Sequence, residues 1–249
     1  MEQRIMRKVP LSAKYGIYIS DAHSFGTDAV LLAHFAADGK HNLAACDLGT
    51  GCGIIPMLLI RAKAVKSVVG VDIQLAACEQ ARLTVKENGV EELFSVFEGD
   101  LKEICPPLDK GAFDLVTCNP PYKAEGAGIV STTSADIIAR HETECTLSDV
   151  CAAAKQLLRF GGRLCICQRP ERLADIFSAM KECGIEPKRL RTVAQRYGKE
   201  PWLVLVEGRL GGKAGMRILP TLYIEQEGKL SPEMIEIYGD YKEGHGDGI

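Results

Sequence analysis

The sequence predicts an α/β fold, a doubly wound and mostly parallel sheet covered by helices on both faces. Three observations carry that expectation. Apolar runs of strand length alternate with helical patterns from about residue 44 onward. A glycine-rich loop follows the first of these strands and opens the first helix. The 249 residues, 46% of them hydrophobic, suffice to bury a sizeable core in one domain.

Taken in order, residues 44–48 read as a strand and 54–63 as a helix, then 67–71 as a strand and 74–88 as a helix. Strands at 94–97 and 113–118 follow, then a helix at 147–160, a strand at 163–167, a helix at 172–183 and a strand at 202–206. Asn88-Gly89 and Gly161-Gly162 supply stop signals after two of the helices. The last strand follows the basic stretch 188–199 without a long helix, so it is expected to return antiparallel at the sheet edge. Ligands of such sheets bind at the carboxyl ends of the strands. The loops after Leu48, Val71, Phe97 and Cys118 should therefore meet at one site.

Composition narrows the class. The first ten residues contain no apolar core of signal-peptide length, and the longest apolar run, Ile54 to Ile60, is far too short to span a bilayer. A soluble, cytoplasmic protein with no membrane partner is expected. Ten cysteines are present, but several lie in strand-like runs (Cys46, Cys118, Cys165, Cys167) and none form a CxxC pair. They read as reduced core thiols, with no metal site. Cys165 and Cys167, two apart, should share one face of a strand. Net charge is -3, yet residues 155–217 carry 14 Lys/Arg against 6 Asp/Glu, which leaves -11 for the remainder. Such asymmetry fits a basic patch on an acidic body.

The first loop reads Asp47-Leu48-Gly49-Thr50-Gly51-Cys52-Gly53. Glycines at alternate positions allow a tight turn and let a ligand touch the backbone. A dinucleotide fingerprint would need a further glycine where Ile54 stands. Asp72 closes the second strand in VVGVD and is followed by Ile73; Asp100 follows the third strand in EGD and precedes Leu101. Each acid alone would read as a cap or turn residue, but acids at three successive strand ends form a pattern. The fourth strand runs into Asn119-Pro120-Pro121-Tyr122. Tandem prolines donate no hydrogen bonds and leave their carbonyls free to accept.

These features together resemble the class I S-adenosylmethionine-dependent methyltransferases. The resemblance implies a Rossmann-like sheet of seven strands with an antiparallel edge strand, and S-adenosylmethionine as cofactor. It places the cofactor against Asp47, Gly49, Thr50, Gly51, Gly53, Asp72 with Ile73, Asp100 with Leu101, and Asn119. Asp72 would accept the ribose hydroxyl protons and Asp100 would meet the adenine amino group. NPPY is similar to the motif of methyltransferases that modify a planar nitrogen. There the Asn119 side-chain oxygen and the Pro120 carbonyl would accept both N–H groups of the target, Pro121 would stiffen the turn, and Tyr122 would stack on the target's flat face.

Residues 24–33, SFGTDAVLLA, and the Ala139-Arg140-His141-Glu142 element further resemble the bacterial tRNA(Val) adenine-N6 methyltransferase family. Phe25, Gly26, Thr27 and Asp28 would then lead into a helix beside the methionine end of the cofactor. The implied plan is a substrate- and cofactor-capping segment over residues 1–43, a methyltransferase domain over 44–224 and an acidic tail over 225–249, its Gly-rich end mobile. Residues 123–143 are a candidate substrate lid. Lys8, Lys14, Lys123, Arg140, Lys188, Arg189, Arg191 and Arg196 are candidate contacts to a tRNA partner, and no obligate protein partner is evident. Two other readings stay open: an N-methyltransferase of a protein glutamine or a small molecule, and a noncatalytic RNA-binding or cofactor-sensing module.

Overall fold

The computed structural model describes residues 6–104, 108–120 and 145–239. The chain opens with a hairpin of β1 (Arg7–Pro10) and β2 (Gly16–Ile19), followed by helix α1 (Thr27–Ala37). Then come β3 (Leu43–Leu48), α2 (Ile54–Arg61), β4 (Val65–Asp72), α3 (Leu75–Asn88), β5 (Phe94–Glu98) and β6 (Phe113–Cys118). The second half comprises α4 (Leu147–Leu157), β7 (Leu158–Gln168), α5 (Leu173–Glu182), β8 (Ile185–Ala194) and β9 (Pro201–Leu210). The described residues close with the short strands β10 (Arg217–Ile218), β11 (Leu222–Tyr223), β12 (Glu225–Gln226) and β13 (Lys229–Leu230), and helix α6 (Pro232–Tyr238).

The strands β5-β4-β3-β6-β7 pair in parallel, and the chain reverses direction across the sheet between β3 and β6. That reversal opens a crevice at the carboxyl ends of the strands. Side chains alternate between two cores, as a two-residue period demands. Cys165 and Cys167 face the core shared with α1, α2 and α6, whereas Leu164 and Ile166 face α4 and α5. The two cysteines thus share a face, and both are fully buried.

The expected class holds, but the antiparallel strand is not at the edge. β9 lies between β7 and β8 and runs antiparallel to both, and the edge is β8 with β10 and β11 beside it. The crossover through α5 carries β8 past one strand position. A short hairpin after Ala194 then fills the gap, which only antiparallel pairing allows. In β8 (IEPKRLRTVA) Ile185, Leu190 and Val193 are buried and no residue is fully exposed, so the basic residues of the stretch 188–199 that fall within the strand are partly enclosed.

Helix α4 is also shorter than the expected 147–160, for Leu158 is already extended and begins β7. Gly162 sits where an added Cβ would approach the Phe113 carbonyl at 3.1 Å, so this glycine serves strand contact as well as chain reversal. The acidic stretch from Glu225 is folded as far as the described residues run. In α6, Met234, Ile237 and Tyr238 recur at helical spacing and are buried in the core. The N-terminal hairpin is fastened to α3: Asn88 pairs with the backbone of Gly16 in both directions, and Ser20 donates to Gln80 at 2.7 Å.

Candidate active site

The loop from β3 to α2 gets its shape from three left-handed residues, Gly49 (φ 69), Gly51 (φ 55) and Gly53 (φ 84). An added Cβ on Gly49 or Gly51 would meet nothing within 4 Å, so these two glycines face open space. At Gly53 the same atom would lie 3.0 Å from the Phe94 ring, and this glycine serves packing. Asp72 ties the loop down from β4. Its Oδ2 accepts from Gly51 N at 2.8 Å and its Oδ1 from Gln74 N at 2.9 Å. Each carboxylate oxygen has a second lone pair for a ligand.

Asp47 lies beneath the loop instead of lining a cleft. It is 1% exposed, and its Oδ1 accepts from the Thr117 hydroxyl at 2.6 Å, directly opposite in the β3–β6 register. Burial pushes its carboxyl up to about 7, against the opposing pull of the Thr117 and Thr50 hydroxyls. Asp47 Oδ2 and Thr50 Oγ1 are both buried without a hydrogen bond of ordinary geometry among the described residues. Thr117, inside an apolar strand, gave no sequence signal of this role.

Two adjoining clefts occupy the crevice. One of about 330 Å³ is bordered by Gly49, Gly51, Asp72, Ile73, Asp100, Leu101, Asn119 and Pro120. The other, about 440 Å³, is bordered by Phe25, Gly26, Asp28, Gly49, Thr50, Gly51 and Asn119. The structure therefore gathers most of the residues expected to hold a cofactor. Ile73 is half exposed, an apolar surface at the rim. Asp100 caps the 3-10 turn at Leu101–Glu103, accepting from Lys102 N at 2.8 Å, so a capping role and a place in the cleft coexist. Ser24 and Cys118 also border the first cleft, as do Ala22, His23 and Cys145, which carry no pattern that sequence could flag. Thr27 is placed differently: its hydroxyl lies 3.1 Å from the Tyr238 hydroxyl of α6.

Asn119 follows β6 and borders both clefts. Its Nδ2 donates to Asp28 Oδ2 at 3.0 Å, and the Cys167 thiol donates to its Oδ1 at 3.0 Å. Pro121, Tyr122, Lys123 and Arg140, together with the whole candidate lid at 123–143, lie outside the described residues.

The basic candidates divide. Arg189 is internal. It reaches Glu207 at 2.7 Å, Asp38 at 2.8 Å and the Phe35 carbonyl at 3.0 Å, and its guanidinium lies 4.5 Å from the Phe35 ring centroid. Arg163 joins the same Glu207 at 2.9 Å. Arg191 is clasped by Glu233 of α6 at 2.6 Å and donates to the Pro220 carbonyl. Neither arginine presents its charge to a phosphate, because the fold brings acids from distant sequence against both. Lys188 donates to the Lys213 carbonyl at 3.0 Å. Lys8 and Lys14 are exposed and lie over Tyr18 and Tyr15. Arg196 is exposed in the β8–β9 turn and borders a shallow depression with Lys199 and Trp202, while Arg169 lies over the Trp202 ring at 5.9 Å. The turn stands at the same end of the sheet as Asn119. Arg169, Trp202 and the exposed Tyr197 were not singled out from sequence, where nothing ties them to the site.

Among the described residues no group of three His, Cys, Asp or Glu side chains could hold a metal ion, and no helix is long and apolar enough to cross a membrane. Burial raises the Cys52 thiol to about 12 and the Cys145 thiol to about 11, so both stay protonated near neutrality.

A family model described as "Methyltransferase small domain" matches residues 8–183. A protein of Porphyromonas gingivalis named tRNA1(Val) (adenine(37)-N6)-methyltransferase is 28% identical over 220 residues, covering 85% of this chain and 86% of that one. A protein of the same name from Cronobacter sakazakii is 29% identical over 187 residues, 74% of each. Among solved structures, one titled a predicted O-methyltransferase from Agrobacterium tumefaciens superposes with a TM-score of 0.70 at 21% identity, over 86% of this chain and 96% of that one. A SAM dependent methyltransferase from Aquifex aeolicus superposes with a TM-score of 0.52 at 17% identity, over 72% and 87%. At these identities the structural likeness speaks to the fold.

Proposed function

Because the chain belongs to the methyltransferase small domain family, we propose that it uses S-adenosylmethionine to methylate the exocyclic N6 of an adenine in tRNA, next to the anticodon. The observation that carries this reading is Asn119, whose side chain stands where the two clefts meet. The names of the relatives that align with three quarters or more of the chain point to the same substrate. A tRNA substrate supports a cytoplasmic location for the reaction.

The residues present fit the cofactor. Gly49 and Gly51 leave their outer side clear for close approach. Asp72 retains lone pairs for ribose hydroxyls, Asp100 stands further along the same cleft for the adenine amino group, and Ile73 offers apolar surface to a flat ring. Phe25, Gly26 and Asp28 border the second cleft, where the methionine end would lie. The bound cofactor supplies an electrophilic methyl on a cationic sulfur.

The chain's own residues supply position. An amine conjugated with a purine ring is a poor nucleophile because its lone pair is delocalised. The Asn119 side-chain oxygen and the Pro120 carbonyl accept its two N–H groups and turn the lone pair toward the methyl, with Tyr122 stacking on the base. Preorganised acceptors make a general base unnecessary, for the methylated amine is acidic and loses its proton afterwards. Arg196 and Lys199, on the same end of the sheet, are available to phosphates.

The test is methyl-labelled S-adenosylmethionine with unmodified tRNA, followed by digestion to nucleosides. Label in N6-methyladenosine is expected. Label confined to nuclease-resistant protein would overturn the tRNA assignment and favour a glutamine side chain as the planar nitrogen.

A further inference from the structure

We propose that Asp28 and Cys167 are positioning residues that fix the direction in which the Asn119 amide faces; the inference rests on the reading of Asn119 as an acceptor for the target amine. Only one end of that amide is useful. The oxygen accepts from an N–H, whereas the NH2 end would set donor against donor. Strand β6 and Pro120 hold the backbone, but the terminal torsion of an asparagine is broad and nearly twofold, so the backbone alone does not choose between the two orientations.

The choice is made from two sides. Asp28 Oδ2 takes the Nδ2 end at 3.0 Å, and the Cys167 thiol donates to the Oδ1 end at 3.0 Å. A flipped amide would put its oxygen against a carboxylate, which can only accept. Cys167 engages one lone pair of the amide oxygen.

Both partners are held in place. Asp28 Oδ1 accepts from Ala29 N at 2.9 Å in the first turn of α1. At the other end of that helix, Arg189 and Arg163 grip the Phe35 and Ala36 carbonyls while both pair with Glu207. Gly26 leaves room for the carboxylate to fold back, since an added Cβ there would lie 2.7 Å from Asp28 Oδ1. Cys167 is fully buried on β7, beside β6. The glycine and acid of Phe25-Gly26-Thr27-Asp28 thus have a structural purpose directed at Asn119, apart from any cofactor contact.

A swap tests this. Asn119→Asp removes the need for orientation, because a carboxylate accepts through either oxygen, but sets two carboxylates together. Asp28→Asn with Asn119→Asp restores a donor–acceptor pair with roles exchanged. Assayed on tRNA at saturating cofactor and alkaline pH, where adjacent carboxylates do not share a proton, Asn119→Asp is expected to lower kcat by about 10- to 100-fold. The double variant should regain about tenfold of that loss. Gly26→Ala should lower kcat with Asp28 displaced, and Cys167→Ser, which keeps a donor, should outperform Cys167→Ala.

A double variant no faster than Asn119→Asp, with wild-type activity on tRNA intact, overturns the inference but not the proposed function. A second readout needs no substrate: hydrogen exchange of the Asn119 side-chain amide by NMR, which should accelerate about tenfold or more in Asp28→Ala. Unchanged exchange overturns the clamp even if tRNA is not the substrate.

Discussion

Replacing Asp47 with Asn should stabilise the cofactor-free protein, in a manner that depends on pH. Asp47 is 1% exposed and its carboxyl is raised from 3.8 to about 7 by burial. Between those values the native state holds a proton that the unfolded chain has released, so stability falls as pH rises from about 4 to about 7. At about 1.36 kcal/mol per unit, ionising Asp47 in the native state costs up to about 4 kcal/mol above pH 7. Asparagine can keep the Thr117 bond through Oδ1, and its Nδ2 can turn to the buried Thr50 Oγ1. Recovery of about half the cost, about 2 kcal/mol, corresponds to a Tm rise of about 4–8 °C at this chain length. Thermal melts of both proteins without cofactor, at about pH 8 and about pH 4.5, measure this. The gain should be full at the higher pH and mostly gone at the lower. An Asp47→Asn protein that melts lower at pH 8, or a gap that ignores pH, would refute the assignment of a buried, strained carboxyl.

Asn119→Ala should reduce methylation by about 10²- to 10³-fold, the scale of losing a preorganised hydrogen-bonding group, with cofactor affinity in a calorimetric titration unchanged within about threefold. Gly51→Ala should weaken cofactor binding by about tenfold or more, since a Cβ enters the open side of the loop and a left-handed alanine is strained by about 1–2 kcal/mol. Glu207→Ala should cost about 3–5 kcal/mol in denaturant unfolding, because it strands Arg163 as a buried charge and leaves Arg189 with Asp38 alone. Arg196→Ala should instead leave stability alone and reduce the magnitude of the slope of log tRNA affinity against log salt by about one; an unchanged slope would remove it from the interface.

Much of the crevice was legible in the chain because its constraints are local. Gly49, Gly51 and Gly53 announce left-handed turns, and acids after successive apolar runs announce a row of strand ends. Asp100 shows why a capping reading need not compete with a binding one, since it does the first while bordering the cleft. The charge pattern was less instructive. A surplus of basic residues from 155 to 217 could not reveal that Arg163 and Arg189 converge on Glu207, or that Arg191 meets Glu233, because those pairings join residues 18 to 44 positions apart. The acidic stretch after residue 224 likewise concealed α6, whose three buried residues are outnumbered by the charges that flank them.

The sequence by itself determined the doubly wound class and the crevice-lining loops, since each follows from backbone preference and a two- or four-residue period, whereas the planar-nitrogen reading of Asn119-Pro120-Pro121-Tyr122 came from a resemblance. Only the tertiary structure decided that β9 sits inside the sheet, that Asp47 lies beneath the glycine loop, and that Asp28 and Cys167 close on the two ends of Asn119. Those outcomes depend on contacts between segments far apart in the chain, and burial and hydrogen-bond geometry exist only once the segments have met.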